Sequence, residues 1–224
     1  MRKISAISEL AFTKLKAHDQ ICLGGGSNVF DLAKKIKEEN LPIKLYSPSE
    51  LTRLNCAEIG LNVQSINEAT HFDLAFDGAD SVDENLNALK SNGGIHFFEK
   101  LAAERASEYI LLVPGQKVTK ELSPAVQLCI EVAADAAESV LTFCKEKDLQ
   151  AQIRQGVAVA SFARSPLGNY LIDINSKTWK NIDQLNQELL ALNGVVSSSY
   201  FHNLVTSIIT TNKQNKSIEI KKGE

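Results

Sequence analysis

No stretch of the chain reaches the roughly 18 consecutive apolar residues that a membrane helix needs, so no membrane partner is expected. Met1-Arg2-Lys3-Ile4-Ser5 is charged, but Glu9, Lys14 and Lys16 interrupt any apolar signal core after it, and the expected location is the cytoplasm. A basic excess is missing too. Lysine plus arginine is 24 and aspartate plus glutamate is 27, a net charge of −3. A nucleic-acid partner would call for the opposite balance, whereas the same net charge is compatible with a local cationic pocket for a small anion. The four cysteines (Cys22, Cys56, Cys129, Cys144) form no Cys-x-x-Cys pair and sit in apolar contexts, which reads as buried free thiols. The four histidines (His18, His71, His96, His202) show no His-x-x-x-His spacing, so neither a metal site nor a metal cofactor is expected. Internal repeats and low-complexity tracts are also absent.

What remains is 224 residues, 44% apolar and 23% charged, enough to bury a sizeable core without disulfide or metal staples. From residue 1 to about 120, helical and strand patterns alternate. Apolar positions at helical spacing run from Ile4 to Leu15 and from Asn28 to Glu39, with shorter helices over Glu50–Glu58 and Gly94–Ser107. Short apolar runs at Gln20–Leu23, Ile43–Tyr46, Asn62–Ile66, Phe72–Phe76 and Tyr109–Val113 read as strands. This alternation predicts βαβ units, that is, a Rossmann-like, mostly parallel sheet flanked by helices. From about residue 128 the order becomes β-α-β-β-α-β, with strands at Cys129–Val132, Ala151–Gln155, Asn169–Ile174 and Val195–Phe201, and helices at Asp135–Lys145 and Asn181–Leu192. That order predicts a second, smaller α+β lobe of ferredoxin-like type. Leu204–Ile209 is expected to return to the first domain, and Ile218 and Ile220 alternate as in an edge strand. The expected domains are therefore 1–127 with 203–224, and 128–202.

In such a sheet, ligands bind beyond the carboxyl ends of the strands. Two loops stand there. Gly24-Gly25-Gly26-Ser27-Asn28 joins a strand to a helix, where backbone N–H groups and a helix N-terminus favour an anion. It has neither the Gly-Lys-Ser/Thr of a P-loop nor the third glycine of a dinucleotide loop, so a small phosphate ester suits it better than a nucleotide. It also reads as a plain tight turn with Ser27 or Asn28 as N-cap. Phe76-Asp77-Gly78-Ala79-Asp80 places two carboxylates just past a strand, although Asp-Gly is also a common turn dipeptide. Lys90 then precedes a flexible loop, Ser91-Asn92-Gly93-Gly94, and a helix apolar around most of its circumference that carries Glu99. A carboxylate in such a setting is either paired or has a raised proton affinity, and the second case suits proton removal from carbon. Pairing with Lys90 or Lys100 is the structural alternative, although helical spacing turns Glu99 away from Lys100. Three carboxylates, one lysine and a phosphate loop fit hydrogen transfer between adjacent sugar carbons through an enediolate.

These residues resemble the ribose-5-phosphate isomerase type A family. The signature is Asp77-Gly78-Ala79-Asp80, then Lys90-Ser91-Asn92-Gly93-Gly94, then Glu99-Lys100, at the family's spacings. Gly24–Asn28 is similar to its Gly-Thr-Gly-Ser-Thr loop. Gln116-Lys117-Val118, Ile130-Glu131-Val132, Arg154-Gln155-Gly156, Gly168–Asp173 and Gly194-Val195-Val196 follow in the family's order. The resemblance implies metal-independent, cofactor-free interconversion of ribose 5-phosphate and ribulose 5-phosphate. It implies Glu99 as general base, Lys90 at the oxyanion, Asp80 in ring opening and hydroxyl proton transfer, and Asp77 as the companion carboxylate positioning the sugar. It implies a substrate phosphate held by Gly24, Gly25, Gly26, Ser27 and Asn28 with Lys3 and Lys117, and further substrate contacts from Ser47, Gly93 and Gly94. A homodimer or homotetramer is implied as well.

The chain departs from the family at several places. Ser91-Asn92-Gly93 stands where the family has three glycines, Phe98 where it has arginine, Ser81 where it has an acidic residue, and Ser165-Pro166-Leu167 before the Gly-Asn strand. Ser47-Pro48-Ser49 is what remains of a serine-rich sugar loop. Two other readings compete. A sugar-phosphate sensor would carry a basic DNA-binding domain, which is lacking. An acyl-CoA transferase-like or amino-sugar isomerase-like enzyme is the other, and Lys90 together with both aspartates favours isomerisation.

Overall fold

The computed structural model describes residues 4–223. Along the chain run α1 (Ala6–Phe12), β1 (Gln20–Leu23), α2 (Ser27–Glu39), β2 (Lys44–Ser47), α3 (Glu50–Glu58), β3 (Val63–Ser65), β4 (Phe72–Asp77), β5 (Ser81–Val82) and β6 (Ala88–Leu89). There follow α4 (His96–Glu104), β7 (Ala106–Leu112), β8 (Leu128–Val132), α5 (Ala137–Glu146), β9 (Gln150–Ile153), β10 (Tyr170–Asn175), α6 (Ile182–Leu190), β11 (Val195–Ser198), β12 (Tyr200–Phe201), β13 (Ser207–Thr211) and β14 (Ser217–Lys221). Two compact units emerge. Among the described residues, the first holds 4–79, 98–118 and 203–223, and the second holds 80–97 and 119–202.

The first unit is built on a seven-stranded sheet ordered β14-β13-β7-β4-β1-β2-β3. All neighbours pair in parallel except β13 with β14 at the edge. Its strands are short apolar runs because helices cover both faces of such a sheet. The α2 helix buries Val29, Leu32, Ala33 and Ile36, the stripe that its 3.6-residue period predicts, and ends at Asn40 in the left-handed region. That stripe packs with Ile21, Leu23, Phe76, Ile110 and Ile209 in one core. Ser207–Thr211 joins this sheet as β13 beside β7.

In the second unit a four-stranded antiparallel sheet has the order β11-β8-β10-β9. With its first strand followed by α5 and its third by α6, this is the ferredoxin-like arrangement. Leu128, Ile130, Ile172, Ile174, Val140, Trp179 and Leu189 form its core. The expected single strand 195–201 divides at Ser199. Buried Ser199 exchanges bonds with Cys129, accepting at Oγ from the Cys129 N–H and donating its own N–H to the Cys129 carbonyl, each at 2.8 Å. Beyond it, β12 leaves for a separate three-stranded sheet, β12-β6-β5. Those two-residue partner strands are too short for periodicity to reveal. The helix expected over Gly94–Ser107 spans only His96–Glu104, because Ala106–Glu108 are drawn into parallel pairing with β4.

All four cysteines are free and buried. Among the described residues, no helix is long and apolar enough to cross a membrane. Nor does any group of three or more histidine, cysteine, aspartate or glutamate side chains among them suit a metal ion.

Candidate active site

The first unit gathers one set of candidates where β1 and β4 end. Register explains the grouping. Cys22 pairs with Ala75, Ala75 with Tyr109, and Asp77 with Leu111. Side chains alternate along a strand, so Cys22, Tyr109 and Asp77 share one face of the sheet. Asp77, at the last position of β4, is 2% exposed. Its Oδ1 accepts the N–H of Gly25 at 2.9 Å and of Gly78 at 2.8 Å, while Oδ2 accepts the Tyr109 hydroxyl at 3.1 Å. Hydrogen bonds to an ionised acceptor contribute about 1.5–3 kcal/mol each, so this carboxylate is firmly held.

The 24–28 loop closes over that aspartate. Gly24 donates to the Phe76 carbonyl at 2.8 Å, and a Cβ on Gly24 would lie 2.0 Å from Asp77 Cγ. Gly78 packs on the loop less tightly, where a Cβ would meet the Gly25 carbonyl oxygen at 3.0 Å. Gly26 caps α2 with φ at +108°, a conformation that glycine tolerates best, and no side chain caps the first turn. The opening N–H groups of a 13-residue helix are thus left for an anion. Ser27 is exposed at this end. Asn28 is spent otherwise, its Oδ1 accepting Ser5 Oγ at 2.9 Å and its Nδ2 donating to the Leu112 carbonyl at 3.2 Å. Ser47 is buried, accepting the Ser49 N–H at 3.1 Å in the turn before α3. Lys117 donates its ammonium to the Ala79 carbonyl at 2.7 Å. Lys3 lies outside the described residues.

Glu99 is 5% exposed, on the α4 face that also buries Ala102 and Ala103. Burial holds the Cys22 thiol and the Tyr109 phenol well above their ordinary proton affinities, and the charges of Asp77 and Glu99 push both further the same way. Glu99 and Asp77 therefore act on the same two side chains, within one electrostatic neighbourhood. Lys100, the next residue, is lowered to about 8 by burial, against the pull of Glu104.

The second unit gathers the other set. Asp80 Oδ2 accepts the N–H groups of Ser91 at 2.8 Å and Asn92 at 3.0 Å, and Oδ1 accepts Asn92 Nδ2 at 2.8 Å. The carbonyls of the same two residues accept from Arg154, Nη2 to Ser91 at 2.7 Å and Nη1 to Asn92 at 3.2 Å. Arg154 is fixed in turn by Asp173, through Nε to Oδ2 at 2.8 Å and Nη2 to Oδ1 at 2.5 Å. Lys90 is 6% exposed, with its N–H on the Ser199 carbonyl at 3.0 Å and its ammonium 5.7 Å above the Phe201 ring. Gly94 takes φ of +67°, and a Cβ there would lie 2.7 Å from Leu171 Cδ1; Gly93 is open.

Of the candidates read from sequence, Gly24, Gly25, Gly26, Ser27, Asp77, Glu99 and Lys117 fall in the first unit, and Asp80, Lys90, Gly93 and Gly94 in the second. Sequence reasoning missed Tyr109, Arg154 and Thr52, whose Oγ1 donates to the Gly24 carbonyl at 2.8 Å. Arg154 stood in a family-like tripeptide, but without a role. Tyr109 and Thr52 gave no local signal.

Comparison with known proteins adds an independent line. The family model for ribose 5-phosphate isomerase A (phosphoriboisomerase A) matches residues 44–215. Ribose-5-phosphate isomerase A 1 of Oceanobacillus iheyensis is 29% identical over 94% of each chain. Ribose-5-phosphate isomerase A of Streptococcus pneumoniae is 28% identical over 100% of this chain and 99% of its own. The solved structure of ribose 5-phosphate isomerase A from Methanocaldococcus jannaschii superposes with a TM-score of 0.87 at 26% identity, covering 97% of both chains.

Proposed function

The chain belongs to the ribose 5-phosphate isomerase A family, and from that premise we propose how its residues interconvert D-ribose 5-phosphate and D-ribulose 5-phosphate. The observation that carries the assignment is Glu99, a carboxylate 5% exposed on an apolar helix, sharing its neighbourhood with the aspartate that holds the anion loop. Asp80 opens the furanose ring. Glu99 takes the C2 proton of the open-chain aldose, the C–H electron pair becomes the C1–C2 double bond, and charge passes to the C1 oxygen. Lys90 steadies that oxyanion. Glu99 returns the proton to C1, while the C2 hydroxyl proton passes to the C1 oxygen by way of Asp80. A ketose results with no net gain or loss of atoms.

The phosphate rests on the Gly24–Asn28 loop and the α2 N-terminus, assisted by Lys3 and Lys117. Ser47, Gly93 and Gly94 line the sugar, and Asp77 steadies its position. No metal or organic cofactor takes part. The protein works in the cytoplasm as a homodimer or homotetramer. The exposed apolar side chains of Val157, Val159, Phe162 and Leu167 support self-association.

The test is turnover of ribose 5-phosphate by purified, folded protein in a strong chelator; absence of ribulose 5-phosphate would reject the assignment. Glu99→Gln should lower kcat by about a thousandfold, within the range for loss of a general base, with phosphate-ester binding largely kept. Lost binding with unchanged kcat would make Glu99 structural instead.

A further inference from the structure

We infer that Asn92 is a positioning residue for Asp80, and that Gln127 sets the direction in which the Asn92 amide faces. The inference deepens the isomerase reading above and rests on it. All three residues lie in the second unit. The main-chain N–H of Asp80 donates to the Leu89 carbonyl at 2.9 Å, which fixes where its side chain starts. The last side-chain bond of an aspartate is soft, so the carboxylate plane is held best by bonds to both oxygens. Asn92 reaches both, its N–H to Oδ2 at 3.0 Å and its Nδ2 to Oδ1 at 2.8 Å. The Ser91 N–H adds a bond to Oδ2 at 2.8 Å. Backbone and side chain of one residue thus span the carboxylate.

An amide has a donor end and an acceptor end of nearly equal shape, and an ionised carboxylate accepts only. Turned over, Asn92 would set its own oxygen against Asp80 and repel it. Gln127 opposes that turn, its Nε2 donating to Asn92 Oδ1 at 3.2 Å. Gln127 is itself tied to the loop, because its main-chain carbonyl accepts the Ser91 hydroxyl. Asn92 is exposed, so it contributes direction rather than burial. Proton transfer needs heavy atoms within about 3 Å of each other, and a carboxylate that rotates is in place for only part of the time. The consequence falls on the steps given to Asp80, ring opening and hydroxyl proton transfer, and not on the phosphate.

The experiment is Asn92→Ala in the full chain, which keeps the backbone N–H and removes the amide. The value of kcat for ribose 5-phosphate should fall about tenfold. KM and the inhibition constant of inorganic phosphate should stay within about twofold. An unchanged kcat overturns the inference, as does a phosphate constant that shifts as much as kcat. Asn92→Asp is nearly the same size but meets Asp80 with a like charge, so it should be less active than Asn92→Ala. Equal or higher activity overturns the inference, because a residue that only fills the loop would tolerate aspartate. Gln127→Ala should lower kcat about threefold alone and by less than about 1.5-fold on top of Asn92→Ala, whereas full additivity overturns the role given to Gln127. Should the wild-type protein fail to turn over ribose 5-phosphate, the isomerase reading falls. Stability then still decides whether Asn92 holds Asp80: Asn92→Ala should lower Tm by about 3 °C in the wild type and by less than about 1 °C in an Asp80→Ala background, and equal losses overturn the inference.

Discussion

The Gly24–Asn28 loop of the first unit and the Ser91–Gly94 loop of the second are each held by one aspartate of a single four-residue motif, and they are held by different physics. Asp77 is 2% exposed, it accepts from two backbone N–H groups and one buried phenol, and a Cβ on Gly24 would fall 2.0 Å from its Cγ. Steric closeness does much of the holding, so little can be added at that place. Asp80 is half-buried, and it holds its loop by the N–H groups while Arg154 holds the carbonyls of the same residues. There the grip is electrostatic, and the backbone has room at Gly93, though not at Gly94. Asn92 shows the consequence. A side chain where the family has glycine is accommodated in the second loop and recruited as a further donor to Asp80. No side chain at Gly24 could be.

The sharpest way to break this contrast is a pair of glycine substitutions. Gly24→Ala drives a methyl into the Asp77 carboxylate and should cost about a hundredfold in kcat/KM, with several degrees of Tm. Gly93→Ala meets nothing nearer than Ile95 Cγ1 at 3.8 Å and should stay within about threefold. Equal losses would show that the two loops are held alike. Arg154→Ala comes next. It removes the carbonyl half of the second clamp and leaves Asp173 without its bidentate partner. Because the pair is only partly buried, the cost falls between surface and buried ion pairs, about 2 kcal/mol or about 6 °C in Tm. A fall of about tenfold in kcat/KM should accompany it, and inhibition by inorganic phosphate should barely change, since the 24–28 loop is held by Asp77 instead.

The smallest effect concerns the α4 helix and pH. Lys100 is lowered from 10.5 to about 8 in the folded chain, so between those values the unfolded chain holds a proton that the folded chain has released. Stability contributed here rises with pH through that window and is lowest below pH 8. Lys100→Met should therefore raise Tm by a few degrees at pH 7, and the gain should shrink towards zero above pH 10.5. A gain independent of pH would point to packing alone.

Much of the fold is legible in the sequence because period-2 and period-3.6 patterns are local. The Val29, Leu32, Ala33, Ile36 stripe and the β-α-β-β-α-β order read directly into structure. The exceptions have particular causes. Two-residue strands such as β5 and β6 carry no period, and Ala106–Glu108 are polar enough to read as a helix end until β4 pairs with them. In the candidate site, Asp77, Asp80, Lys90 and Glu99 were visible because their motifs are contiguous. Ser47 and Asn28 also make internal hydrogen bonds, which their residue types cannot reveal.

Residue order alone thus determined the kinds of elements, their succession and the chemistry-bearing motifs, since each depends on neighbours within a few positions. Only the tertiary structure decided what grips those motifs. Tyr109 lies 32 residues from Asp77, and Arg154 lies 63 from Ser91. Parallel register sets the first encounter by placing residue 111 opposite 77. A guanidinium clamping loop carbonyls sets the second. Neither depends on anything written near the residues it holds.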